Sequence, residues 1–155
     1  MDLEALDHDQ YMERAIELAR EAVERGDEPF GSLLVLDDEI VAEARNAVNT
    51  RQDLREHPEL SLAAEAARDL SAEDRSRTVM YTSTEPCAMC SGGIYHAGLG
   101  AVGYSMSAER VTELAGGDFA VPSSDVFAYG SRDVQVFGPV LPEAGAAVHR
   151  DYWSP

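Results

Sequence analysis

Met12, Ile16, Ala19 and Val23 recur at helical spacing and predict an amphipathic helix over residues 9–25. Asp9 stands where an N-cap is wanted, and Gly26 where a left-handed C-terminal residue is. Phe30 to Leu36 is rich in apolar, β-favouring residues. Asp37-Asp38 then turns the chain into a second strand, Ile40 to Ala44, so a hairpin is expected. A polar stretch from Asn46 to Glu56 leads to His57. Pro58 suits the first position of a helix, where its missing N–H costs nothing, and the alanine-rich run from Glu59 to Leu70 continues it.

Thr78 to Ser83 reads as a strand, with Val79, Tyr81 and Ser83 on one face and Met80 and Thr82 on the other. Cys87 to Ala97 follows as a helix stopped by Gly98. Ala101 to Ser105 and Asp133 to Phe137 are short strands, with a helix over Ala108 to Leu114 between them. This order predicts an α/β fold: a mixed five-stranded sheet between helices, a three-layer α/β/α sandwich. No repeat, low-complexity tract or long linker divides the 155 residues, so one domain over 1–155 is expected, with residues 142–155 as a C-terminal tail.

Composition narrows the partners. The net charge is −17, and all 12 basic residues are arginine, with no lysine. An acidic surface keeps a protein soluble through self-repulsion, as in halophiles, so a high-salt host is expected, with a GC-rich genome as the other reading of the missing lysine. Nucleic-acid binding normally needs a basic footprint, and none is visible, so a nucleic-acid partner is not expected. There is no signal-peptide pattern and no apolar run long enough to span a bilayer, so a cytoplasmic protein without membrane contact is expected.

The chemistry lies in His57-Pro58-Glu59 and Pro86-Cys87-Ala88-Met89-Cys90. One histidine and two cysteines make three ligands for Zn2+ and leave a fourth position open. Cys87 and Cys90 share one face of the first helical turn, where free N–H groups and the helix dipole favour thiolate. Glu59 lies beside the open position without having to be a ligand, the layout of a hydrolytic zinc site. Two other readings stand beside this one: a redox pair at Cys87 and Cys90, or a closed structural zinc recruiting His8, His96 or His149.

These motifs, with Pro29-Phe30-Gly31, Asn46, Tyr81-Thr82-Ser83, Glu85 and Gly93-Ile94-Tyr95, resemble the cytidine/deoxycytidylate deaminase superfamily over essentially the whole chain. The resemblance is closest to the guanine deaminase branch, with tRNA adenosine and fungal-type cytosine deaminases nearby. It implies the cytidine deaminase-like fold, zinc ligation by His57, Cys87 and Cys90, and proton transfer by Glu59. It also implies a substrate-base contact from Asn46, a ring contact from Phe30, an acidic group near the leaving amine at Asp118, and a homodimer.

Two departures bear on substrate. The family's usual D-P-T-A before the histidine is here Asp53-Leu54-Arg55-Glu56, followed by Pro58, and the chain ends Tyr152-Trp153-Ser154-Pro155. The expectation is that Tyr152 or Trp153 caps the active site. Guanine to xanthine is the first expected reaction, then cytosine or a nucleoside (cytidine, guanosine, adenosine), then a tRNA adenosine. The reading from another class is a non-catalytic zinc-binding interaction module, which would not require Glu59.

Overall fold

Strand alternation sorts the interior into two cores, one on each face of a central sheet. The computed structural model describes residues 1–154; Pro155, the last residue of the expected tail, lies outside the described residues. A 3-10 turn at Leu3–Ala5 precedes α1 (His8–Arg25), β1 (Gly31–Leu36) and β2 (Glu39–Arg45). Then come α2 (Val48–Arg51), α3 (Pro58–Asp69), α4 (Ala72–Ser76), β3 (Val79–Thr84), α5 (Ala88–Ala97) and β4 (Ala101–Met106). The chain continues with α6 (Ala108–Ala115), α7 (Ser123–Phe127), β5 (Gln135–Phe137) and α8 (Pro142–Trp153).

The sheet order is β2-β1-β3-β4-β5. β1 pairs antiparallel with β2 and β3, whereas β3, β4 and β5 run parallel. The five-stranded mixed sheet expected from the sequence is therefore present, with helices on both faces. Leu33, Val35, Val79, Tyr81 and Ala101 point to α1 and α8, where they meet Met12, Ile16, Ala19 and Val148. The alternate residues Leu34, Met80 and Val102 meet Leu62, Ala66 and Ile94 of α3 and α5. Burying each such aliphatic side chain contributes roughly 1.5–3 kcal/mol, so a one-residue slip of β3 would exchange both faces at once.

Gly31 sets how closely α1 approaches β1. A Cβ there would lie 2.5 Å from the Ala19 backbone nitrogen and 2.6 Å from the Ala15 carbonyl oxygen, which no backbone can accommodate without moving. The helix N-cap is Asp7, not Asp9: its side chain accepts from the Gln10 amide. Gly26 takes the left-handed C-terminal position, φ 100°, as expected.

Residues 142–153 form a helix, where the sequence reading gave a tail. Pro142 starts α8, and its buried positions are Gly145, Ala146, Val148 and His149. Small residues and a histidine leave no apolar periodicity to read, yet small residues are what close packing demands. A Cβ at Gly145 would meet Ser105 Oγ at 2.3 Å. Among the described residues no helix is long and apolar enough to cross a membrane.

Candidate active site

Two helix N-termini meet where the sheet's parallel strands end. His57 is the N-cap of α3, with Pro58 and Glu59 in its first turn. β3 ends at Thr84, and three residues later Cys87 is the N-cap of α5, with Cys90 one turn on. The crevice at the carboxyl ends of parallel strands is where α/β sheets place ligands. Here it brings one donor set together.

His57 Nδ1 lies 3.7 Å from Cys87 Sγ and 3.6 Å from Cys90 Sγ. Tetrahedral zinc, with Zn–S near 2.3 Å and Zn–N near 2.0–2.1 Å, holds N and S about 3.6 Å apart. The donor set thus fits the ion in atom type and spacing. Protonation agrees. Cys87 is held down to about 4 by hydrogen bonds from the Cys90 thiol and from His57, and Cys90 is pushed up by the hydrogen bond it shares with Cys87 and by burial. His57 is raised by its Cys87 partner. Shared protons occupy the place a cation would take, and a metal would release them.

No fourth protein ligand joins the trio among the described residues. His96 is exposed. His8 Nδ1 is bound to the Tyr81 hydroxyl at 2.6 Å, and His149 has both ring nitrogens engaged. A closed structural site is therefore absent there, and one coordination position stays open.

Glu59 is 4 % exposed, and one carboxylate oxygen, Oε1, accepts a 3.4 Å hydrogen bond from Ser32 Oγ. Burial raises its pKa to about 7, helped by the negative Cys87. A carboxyl poised near neutral pH can both take and give a proton. The cavity beside it is lined by His57, Glu59 and Cys87 together with Phe30, Thr84, Glu85, Val111, Thr112, Phe119 and Val121. Its walls are mainly apolar, with a few polar groups among them, as small-molecule sites commonly are.

The other expected contacts lie at varied distances from this cavity. Phe30 lines it. Asn46 is not among the lining residues but is tied to one, since its amide donates to the Phe30 carbonyl at 3.0 Å. Its Oδ1 accepts from the Val48 and Glu28 amides, while its buried Nδ2 has no hydrogen-bond partner. A buried donor without a partner is costly unless a ligand supplies one. Asp118 is exposed and lies just outside the lining, although its neighbours Phe119, Ala120 and Val121 belong to it. Tyr152 and Trp153 are half-buried at the end of α8 and are not lining residues. Asp53, Arg55 and Glu56 line a separate surface depression with Leu60.

Sequence reasoning missed several groups. Glu85 spends both oxygens on structure, accepting from the Ala108 amide and from the Ser123 amide and hydroxyl, and so fixes α6 and α7 over the cavity. Its place before Pro86 was the available signal. Ser32 and Thr84 carried none, and His149 suggested only a ligand of a closed zinc site, because their roles depend on contacts between elements far apart in the chain.

Comparison with known proteins bears on the same geometry. The model of the MafB19-like deaminase family matches residues 6–126. The chain is 30 % identical over 152 residues to a probable cytosine deaminase of Schizosaccharomyces pombe, covering 92 % of this chain and 90 % of that one. It is 40 % identical over 101 residues to the guanine deaminase of Bacillus subtilis, covering 64 % of this chain and 65 % of that one. A tRNA-specific adenosine deaminase of the same bacterium is 37 % identical over 84 residues, covering 54 % and 52 %. In fold, the guanine deaminase of Nitrosomonas europaea superposes with a TM-score of 0.82 at 22 % identity, covering 97 % of this chain and 86 % of that one.

Proposed function

We propose, from the premise that the chain belongs to the MafB19-like deaminase family, that its substrate is a free nucleobase and that it converts guanine to xanthine with release of ammonia. The observation that carries this is Glu59, buried and raised towards neutrality, standing beside a three-donor trio that opens onto a mainly apolar cavity. A purely binding module has no use for that carboxyl. Guanine is supported by the Bacillus relative, a guanine deaminase 40 % identical over 101 residues. Cytosine is the second reading, supported by the relative that aligns over most of both chains.

The charge balance weighs against a polynucleotide. Arg14, Arg25, Arg45, Arg51, Arg55, Arg68, Arg77, Arg110 and Arg150 are each ion-paired with a carboxylate of this chain. Little positive charge is left to neutralise phosphates.

His57, Cys87 and Cys90 would hold zinc, which when bound supplies Lewis-acid chemistry that brings a water's pKa from about 15.7 towards about 7. Glu59 accepts a proton from the attacking water on the carboxylate oxygen that Ser32 does not occupy. It passes that proton to a ring nitrogen as the water oxygen bonds to the amine-bearing carbon, then moves the remaining hydroxyl proton to the amine, so the C–N bond breaks, a carbonyl forms and ammonia leaves neutral. Ser32 Oγ shares its one proton between Thr82 Oγ1 at 2.8 Å and Glu59 Oε1 at 3.4 Å, and Thr82 donates to the Thr84 carbonyl, so a hydroxyl row lies against one oxygen of the Glu59 carboxyl. Phe30, Val111 and Phe119 supply apolar surface for the ring, and the unpartnered Asn46 Nδ2 offers a donor at the adjoining backbone.

Ammonia release by the zinc-loaded protein from guanine, cytosine, adenine, their nucleosides and a tRNA transcript tests this reading. Guanine is expected to react fastest. A preference for cytosine shifts the assignment to the second reading, and reaction of the transcript alone overturns it.

A further inference from the structure

Half-buried Trp153 and buried His149 form a relay that ends on a hydroxyl in the cavity. The Trp153 indole N–H donates to His149 Nδ1 at 3.0 Å. An indole nitrogen is a donor only, so His149 Nδ1 must be the acceptor, and the neutral ring then carries its proton on Nε2. His149 is 1 % exposed, and burial lowers its pKa to about 4, which keeps the ring neutral. Its Nε2 lies 3.1 Å from Thr84 Oγ1. With the tautomer fixed from the Trp153 side, that bond runs from His149 to Thr84.

The consequence falls on the ligand. Thr84 Oγ1 accepts from His149 and has no other side-chain or backbone partner among the described residues. Its own proton is therefore free, and Thr84 lines the cavity beside Glu59 and Phe30. The ring of His149 also meets Phe30 edge to face at 5.3 Å, so one buried residue supports two cavity walls.

We propose that Thr84 is a substrate-recognition residue whose hydroxyl donates to an in-plane acceptor of the base, a carbonyl oxygen or an unprotonated ring nitrogen, and that His149 and Trp153 are positioning residues that fix this donor polarity. The ligand half rests on the nucleobase reading above; the tautomer half does not. The C-terminal aromatic thus acts on the cavity through His149 and not as a lid.

Two measurements decide it. Long-range proton–nitrogen correlation spectra of the wild-type protein should show His149 protonated on Nε2, and protonation on Nδ1 overturns the relay whether or not any base reacts. Steady-state kinetics on the base that the wild type deaminates fastest should give Thr84→Val a KM raised about tenfold with kcat little changed, the scale of one neutral hydrogen bond. Thr84→Ser should stay within about threefold of wild type on the same scale. Trp153→Phe should raise KM less, and should add nothing in the Thr84→Val background. A purely structural role for Trp153 would instead raise KM by the same factor in both backgrounds. Equal KM for Thr84→Val and Thr84→Ser, or additive effects of Trp153→Phe, overturns the proposal. A wild type that deaminates no base contradicts the nucleobase reading and removes the ligand half with it.

Discussion

Ser32 Oγ of β1 meets Glu59 Oε1 of α3 at 3.4 Å, the longer arm of a proton it shares with Thr82 Oγ1 at 2.8 Å. Glu59 stands in the first turn of α3, and Ser32 is the second residue of β1. The long bond is enough to orient the carboxyl and too weak to pull its pKa back to an ordinary value, because desolvation dominates.

Glu59→Gln removes the carboxyl proposed above as proton carrier while keeping its shape and the Ser32 contact. Turnover is expected to fall by about a hundredfold to ten-thousandfold, the range for general acid–base catalysis. Zinc content, measured by plasma mass spectrometry, should stay at the wild-type level. Loss of zinc together with activity would place Glu59 among the ligands instead.

Cys87→Ala and His57→Ala should lose metal and activity together. Chelation of the wild type should lower Tm and release both in parallel, because binding energy at such a site contributes to folding. A chelated protein with unchanged Tm and full turnover would contradict the metal assignment.

His149 gives stability a definite pH dependence. Its folded pKa is lowered from 6.5 to about 4 by burial, so between these values the unfolded chain binds a proton that the native state refuses. Stability is then full above about pH 6.5 and falls as pH drops towards 4, by about 3 kcal/mol at 1.36 kcal/mol per unit. Urea unfolding of wild type and His149→Gln at pH 7 and pH 4.5 checks this. The variant is expected to lose less stability than wild type across the interval, and an equal loss would contradict a buried neutral imidazole.

Salt should stabilise the fold. With 29 acidic against 12 basic residues, the surface keeps a large negative excess after the ion pairs are made. Raising KCl from about 0.1 M to about 1 M shortens the Debye length from about 10 Å to about 3 Å and screens that repulsion. Tm is expected to rise across this range. A flat or falling Tm would remove the high-salt expectation.

Much of this molecule could be read from residue order. The strands β1 and β3, buried on both faces, announced themselves by their apolar, β-favouring runs, and the capped helix α1 by its period and by Gly26. His57, Glu59, Cys87 and Cys90 did so by type and spacing. Helix α8 did not, because its buried face is Gly145, Ala146, Val148 and His149, and a single large aliphatic among small residues and a histidine leaves no apolar stripe. α2, α4 and α7 are four or five residues long, below the length at which periodicity shows. Trp153 and His149 are one turn apart in α8, whereas Thr84 is 65 positions from His149, and only the docking of α8 on the sheet brings that pair into contact.

Hydrolysis itself is tested most directly by running the reaction in water enriched in oxygen-18. Zinc-loaded protein given guanine is expected to release one ammonia per xanthine formed, with one oxygen-18 atom in each xanthine. No ammonia, or xanthine without the label, would contradict hydrolytic deamination at the Glu59 site.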